Sequence, residues 1–129
     1  MKRWKTVEHF MTDLVGLYGI KACDTMKKAR LWLDAHDIPF VFHDYKKEGV
    51  RSEKLRARIA VVGWEKLINR AGTTFRKLPE ELKAQLDEAR AIELMIAQPS
   101  MIRRPVLEAG ELLIGFRPDE YALFFQKKS

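Results

Sequence analysis

Between residues 13 and 45 the chain spells out a strand, a helix and a second strand, and that order leaves few folds open. Asp13 to Tyr18 is a short apolar run of strand length, punctuated by Gly19. Asp24 and Thr25 are good caps for a helix that continues through Leu33 to about Ala35. Ala29, Trp32 and Leu33 stand at its core-facing spacing. Asp37-Ile38-Pro39 leads into a second strand, Phe40 to Tyr45, in which apolar or aromatic residues recur with period two. Strand, helix and strand within about thirty residues form a βαβ unit, whose strands run parallel and whose crossover is right-handed.

A helical stretch follows. Lys46 to Gly49 is a polar turn, and Ser52 caps a helix that stops at Gly63. Trp64 to Asn69 is a short helix, Arg70 to Arg76 a loop, and Pro79 opens another helix near its first position. A longer helix at about 86–97 draws its apolar positions from Leu86, Ala89, Ile92, Leu94 and Ile96, and Pro99 ends it. Two apolar runs, 106–108 and 112–116, flank Gly110 and make a β-hairpin. Arg117-Pro118-Asp119-Glu120 starts a last helix with Tyr121, Leu123 and Phe124 toward the core. The order is βαβ, helical block, ββα. The chain therefore reads as an extension over 1–12 and one α/β domain over 13–126, with a helical insertion at about 50–98.

Cys23 is the only cysteine and falls at or just before the first helix's N-terminus. Unpaired amide donors and the positive end of the helix dipole gather there. Lys21, Lys27 and Lys28 add full charges nearby, while Asp24 opposes them. The balance favours thiolate, the nucleophilic form. The plainer reading, a small hydrophobe buried for packing, stands beside it.

Composition narrows the chemistry. One cysteine excludes an internal disulfide and any multi-cysteine metal cluster within the chain. His9, His36 and His43 show no metal-ligand spacing, so no metal site is expected. No apolar run approaches a membrane span, and no signal-peptide core follows the basic start. A cytoplasmic, reducing setting follows as an expectation. The net charge of +6 suits anionic partners. The cations are spread rather than massed, so nucleic acid is only weakly indicated.

The element order, with a lone cysteine after the first strand and Arg-Pro before the third, resembles a thioredoxin-like fold with an inserted helical lobe and a four-stranded mixed sheet. More closely, the chain resembles the arsenate reductase (ArsC)/Spx family, in its YffB-type branch. The matching stretches are Tyr18 to Arg30, His43 to Tyr45, Gly63 to Leu67, Asn69 to Leu78, Gln98 to Val106 and Gly115 to Pro118. They span about residues 14–125.

The resemblance implies that Cys23 is the nucleophile, that Arg104 binds an oxyanion beside it, and that Pro105 is the fold's cis-proline. It also implies that Arg70 and Arg117 contribute further cations to that site, with Lys21 close by. Guanidinium groups hold oxyanions and carboxylates in bidentate fashion, so the same set suits a small oxyanion or disulfide substrate and glutathione's carboxylates. Glutathione is the expected co-substrate because no second cysteine can resolve the adduct, and no bound cofactor is expected.

Two positions depart from the arsenate reductases. Their histidine four residues before the cysteine is Gly19 here, and their serine three residues after it is Met26. Both groups tune the thiolate and the oxyanion pocket, so arsenate is a doubtful substrate. Spx regulators often carry Cys-x-x-Cys, which is absent here. Two function classes remain. One is a glutathione-dependent thiol oxidoreductase or arsenate-reductase-like enzyme. The other is a non-enzymatic regulator acting through protein contacts with the transcription machinery.

Overall fold

The alternation of short apolar strands with amphipathic helices resolves into a four-stranded sheet with strand order β2-β1-β3-β4. The computed structural model describes residues 15–128, with side chains to residue 126. The extension expected over 1–12, and Asp13 and Leu14 of the first strand, lie outside the described residues.

The elements are β1 (Val15–Gly19), α1 (Asp24–Ala35), β2 (Phe40–Asp44), α2 (Tyr45–Glu48), α3 (Ser52–Val62), α4 (Trp64–Leu67), α5 (Thr73–Arg76), α6 (Glu80–Ala84), α7 (Glu88–Ala97), a 3-10 turn (Pro99–Met101), β3 (Val106–Glu108), β4 (Leu112–Ile114) and α8 (Pro118–Lys128). β1 pairs antiparallel with β3, Leu17 facing Leu107, and β3 pairs antiparallel with β4, Leu107 facing Leu113. The sheet is mixed, as a βαβ unit joined to a hairpin requires, and the fold is thioredoxin-like.

By internal contacts the chain forms two compact units. One comprises the residues up to His43 and from Arg104 onward, and the other is Asp44–Arg103. In the first unit α1 and α8 bury their apolar faces on the sheet. Val15, Leu17, Met26, Ala29, Leu33, Leu107, Ala109, Tyr121 and Phe124 make one core, with Cys23 at its margin. Each large apolar side chain so buried contributes about 1.5–3 kcal/mol. α1 ends where Asp37 adopts φ 57° and the Ile38 amide returns to the Leu33 carbonyl at 3.0 Å. Aspartate is among the few side chains that accept this left-handed geometry.

The second unit has its own core. Leu55, Ile59, Leu67, Ile68, Phe75, Ala91, Ile92, Met95, Met101 and Ile102 are all buried. Ile68 and Ile102 form an antiparallel bridge, with Asn69 N–H on the Met101 carbonyl at 2.6 Å and Arg103 N–H on the Leu67 carbonyl at 2.7 Å. These bonds carry the unit beyond the expected 50–98 to Arg103. At its other end Tyr45 leaves the strand to open α2, and the Asp44 carboxylate accepts from Lys46 N–H at 3.0 Å.

Several local expectations change. The polar turn after β2 is the single helical turn α2, closed at Gly49 with φ 78°. Ser52 is the first residue of α3 rather than its cap, a place Arg51 takes without a side-chain bond. The loop over 70–76 contains α5. Ala91, Ile92 and Met95 face the core from α7, whereas Ile96 is exposed. Leu123 is 61% exposed, so Tyr121 and Phe124 define the buried face of α8.

Tyr121 is fully buried, edge-on to Trp32 and Phe116, and its hydroxyl has no hydrogen-bond partner among the described residues. A buried, unsatisfied hydroxyl carries a desolvation cost of about 1–3 kcal/mol. Tyr121→Phe removes it without changing the ring. We expect a gain of about 1 kcal/mol, seen as a Tm roughly 3–6 °C higher in a thermal melt.

Candidate functional site

The site is built by the turn between β1 and α1 and by the residues that enter β3. β1 ends at Gly19, and Cys23 takes the N-cap of α1 with extended backbone (φ −135°, ψ 127°). The Cys23 carbonyl accepts the first helical bond from Lys27 N–H at 3.0 Å. The sequence puts Asp24 and Thr25 forward as caps; the cap is Cys23, and Asp24 is the first helical residue. This matters chemically, because the side chain of an N-cap residue faces the free amides of the first turn.

Cys23 is partly buried. Its sulfur closes no capping bond of standard geometry, yet the Met26 and Thr25 amides lie toward it, as does the Arg104 side chain. Burial pushes the thiol up. The Met26 N–H, the Arg104 side chain, the Thr25 N–H and the Arg104 charge pull it down, and the pull prevails. Cys23 is thus set below the ordinary thiol value, by helix-end amides and one guanidinium acting together.

Arg104 stands two residues before β3, next to Pro105. The Arg104–Pro105 peptide is cis. Pro105 is buried, its carbonyl accepts from Gly115 N–H at 2.8 Å, and β3 begins at the next residue.

The remaining cations named from the sequence differ in setting. Lys21 and Arg117 are exposed, and the Arg117 backbone carbonyl receives Tyr121 N–H at 3.0 Å at the start of α8. Arg70 belongs to the second unit, where its guanidinium stands 3.7 Å from a Glu65 carboxylate oxygen and 5.6 Å from the Trp64 ring centre. Among the described residues, Arg104 is the side chain that lowers the Cys23 pKa. The position of Cys23 just ahead of a helix already implies free amides beside it, and the structure identifies them as those of Thr25 and Met26.

The lowered thiol has a consequence for stability. A group whose pKa is depressed in the native state stabilises the fold above its unfolded-state value, and that contribution is lost as pH falls through the native value. Cys23→Ser removes the titration. Under reducing conditions, wild type minus Cys23→Ser should shift in favour of wild type as pH rises toward about 8.5, the ordinary thiol value, and level off above it. Denaturant melts across that range check it; a flat difference contradicts the lowered thiol.

Among the described residues no helix is long and apolar enough to cross a membrane.

Known proteins carry the same plan. A solved structure described as a YFFB protein is 64% identical to this chain, covers 84% of it and 96% of its own chain, and superposes with a TM-score of 0.80. An arsenate reductase (ArsC) related protein from Brucella melitensis is 57% identical over 88% of this chain and 95% of its own, with a TM-score of 0.73. The global transcriptional regulator Spx of Enterococcus faecalis is 31% identical over 88% of each chain. The ArsC family model matches residues 18–124, from the end of β1 to the buried face of α8. The chain belongs to the ArsC family.

Proposed function

We propose that the protein is a glutathione-dependent thiol oxidoreductase with Cys23 as its nucleophile. The observation that carries this reading is the partly buried Cys23 sulfur, held toward thiolate by the Thr25 and Met26 amides and by Arg104. The thiolate attacks one sulfur of a substrate disulfide. A Cys23 mixed disulfide forms and the other sulfur leaves as a thiolate, which a low leaving-group pKa favours. Glutathione thiolate then attacks the mixed disulfide, restores Cys23 thiolate and departs joined to the substrate's remaining half. An external thiol is required because the chain has no second cysteine.

Arg104 holds the anionic end of the incoming group in a charge-assisted bond. Lys21 and Arg117, both exposed, supply further cations for glutathione's carboxylates. Arg70, engaged with Glu65 and Trp64, takes no part in this reading. A reducing cytoplasm suits a free, ionised thiol.

The test is the rate of Cys23 alkylation by iodoacetamide against pH, with and without glutathione, together with mass spectrometry of the protein after oxidised glutathione. A midpoint well below the ordinary 8.5 or so, protection by glutathione, and one added glutathione lost in Cys23→Ser support the proposal. A midpoint at the ordinary value with no adduct ends it.

Kinship with Spx favours a second reading, a regulator working through protein contacts. Capture of RNA polymerase subunits by both wild type and Cys23→Ser would favour it.

A further inference from the structure

The backbone at Gly19 is not in the left-handed region, so any residue could adopt its conformation. What forbids a side chain is space. A Cβ placed there runs into the Met26 Sδ and stands 2.9 Å from Cε. Met26 is fully buried in the core shared by β1, α1 and β3, so its thioether is enclosed on every side. Met26 is also the third residue of α1, and its own amide is one of the two that lie toward the Cys23 sulfur. One residue therefore does two things. Its side chain is wedged against the end of β1, and its backbone addresses the nucleophile.

We infer that Met26 is a positioning residue: its buried side chain, seated on Gly19, fixes the first turn of α1 so that the Met26 and Thr25 amides stay aimed at the Cys23 sulfur. This deepens the thiol oxidoreductase reading and rests on it. The physical reason is that a helix's first turn has amides without intrahelical partners and frays readily. A side chain locked into the core two positions inside the helix suppresses that motion where the chemistry is. Met26 thus acts through its amide and through Thr25, and touches no substrate.

The experiment measures the alkylation midpoint of Cys23 and the melting temperature of the same samples. Met26→Ala empties the seat, and Gly19→Ala fills it from the other side. Both should raise the midpoint by about half a unit, so that alkylation below the midpoint slows about threefold, in proportion to the thiolate fraction. Met26→Leu, similar in volume, should keep the midpoint near wild type. Leu33→Ala cuts the same core from the far end of α1 and is the control. It should lower the melting temperature as Met26→Ala does and leave the midpoint in place. If Met26→Ala does not fold, Met26→Val and Gly19→Ala carry the same expectation.

A midpoint unmoved in Met26→Ala and Gly19→Ala, or moved equally in Leu33→Ala, overturns the inference. Both of those outcomes presuppose a low wild-type midpoint. A wild-type midpoint at the ordinary thiol value instead sinks the oxidoreductase reading itself, so the two failures are told apart.

Discussion

Arg104→Ala is expected to raise the alkylation midpoint of Cys23 by about one pH unit and to slow its reaction near neutrality about tenfold. Arg104 acts on the sulfur twice, once as a hydrogen-bond donor and once as a charge. Charge-assisted bonds are roughly twice as strong as neutral ones. The thiol's burial, which opposes ionisation, remains after the substitution, and only the Met26 and Thr25 amides are left against it. Arg104→Lys separates the two contributions. An ammonium keeps the charge and loses the planar fork, so its midpoint should fall between wild type and Ala. The same series reports on substrate. If Arg104 also holds glutathione, the rate of reduction of the mixed disulfide should fall further than the thiolate fraction alone predicts. No movement of the midpoint in Arg104→Ala would mean that the amides alone set the thiol.

The sequence disclosed the parts of this site that are local, and hid those that depend on three-dimensional fit. Cys23 ahead of a helix could be read because Gly19 closes a strand and a helical spacing follows at Ala29, Trp32 and Leu33; that Met26 is buried as well is seen only in the structure. Arg104 could be read from its motif with Pro105, and the cis peptide is there. The cap itself was misplaced by one residue. Asp and Thr are common caps and Cys is not, so propensity pointed to the wrong neighbour.

The one-turn helices α2 and α5 lie in stretches of polar and turn-forming residues, Lys46 to Gly49 and Gly72 to Thr74, whereas the equally short α4 is marked by Trp64 and Leu67. The faces of α7 and α8 were only partly legible. Leu123 and Ile96 are apolar residues lying off the buried stripe, and an exposed apolar residue is ordinary. The pairing of Gly19 with Met26 spans a strand end, a loop and a helix start. No local period encodes a contact of that kind.

That pairing makes the most demanding prediction. Gly19→His, which restores the residue type that the resemblance places in arsenate reductases, should destabilise the protein by about 2–3 kcal/mol or more, because the imidazole must displace a thioether that has nowhere to go. Met26→Ser alone should also be costly, by about 2–5 kcal/mol, since it leaves a cavity in the core beside β1. Together the two changes should cost less than their sum. The shorter serine vacates the volume that the histidine takes, so the pair exchanges bulk across the same contact. The expected coupling is at least about 1 kcal/mol, within the range seen for residues in direct contact. Denaturant melts of the four proteins complete the cycle. Additivity within about 0.5 kcal/mol would show that the two positions are energetically independent. Coupling would mean that the departures from the arsenate reductase pattern at Gly19 and Met26 are a single change, in which a buried thioether has replaced two polar groups beside the nucleophile.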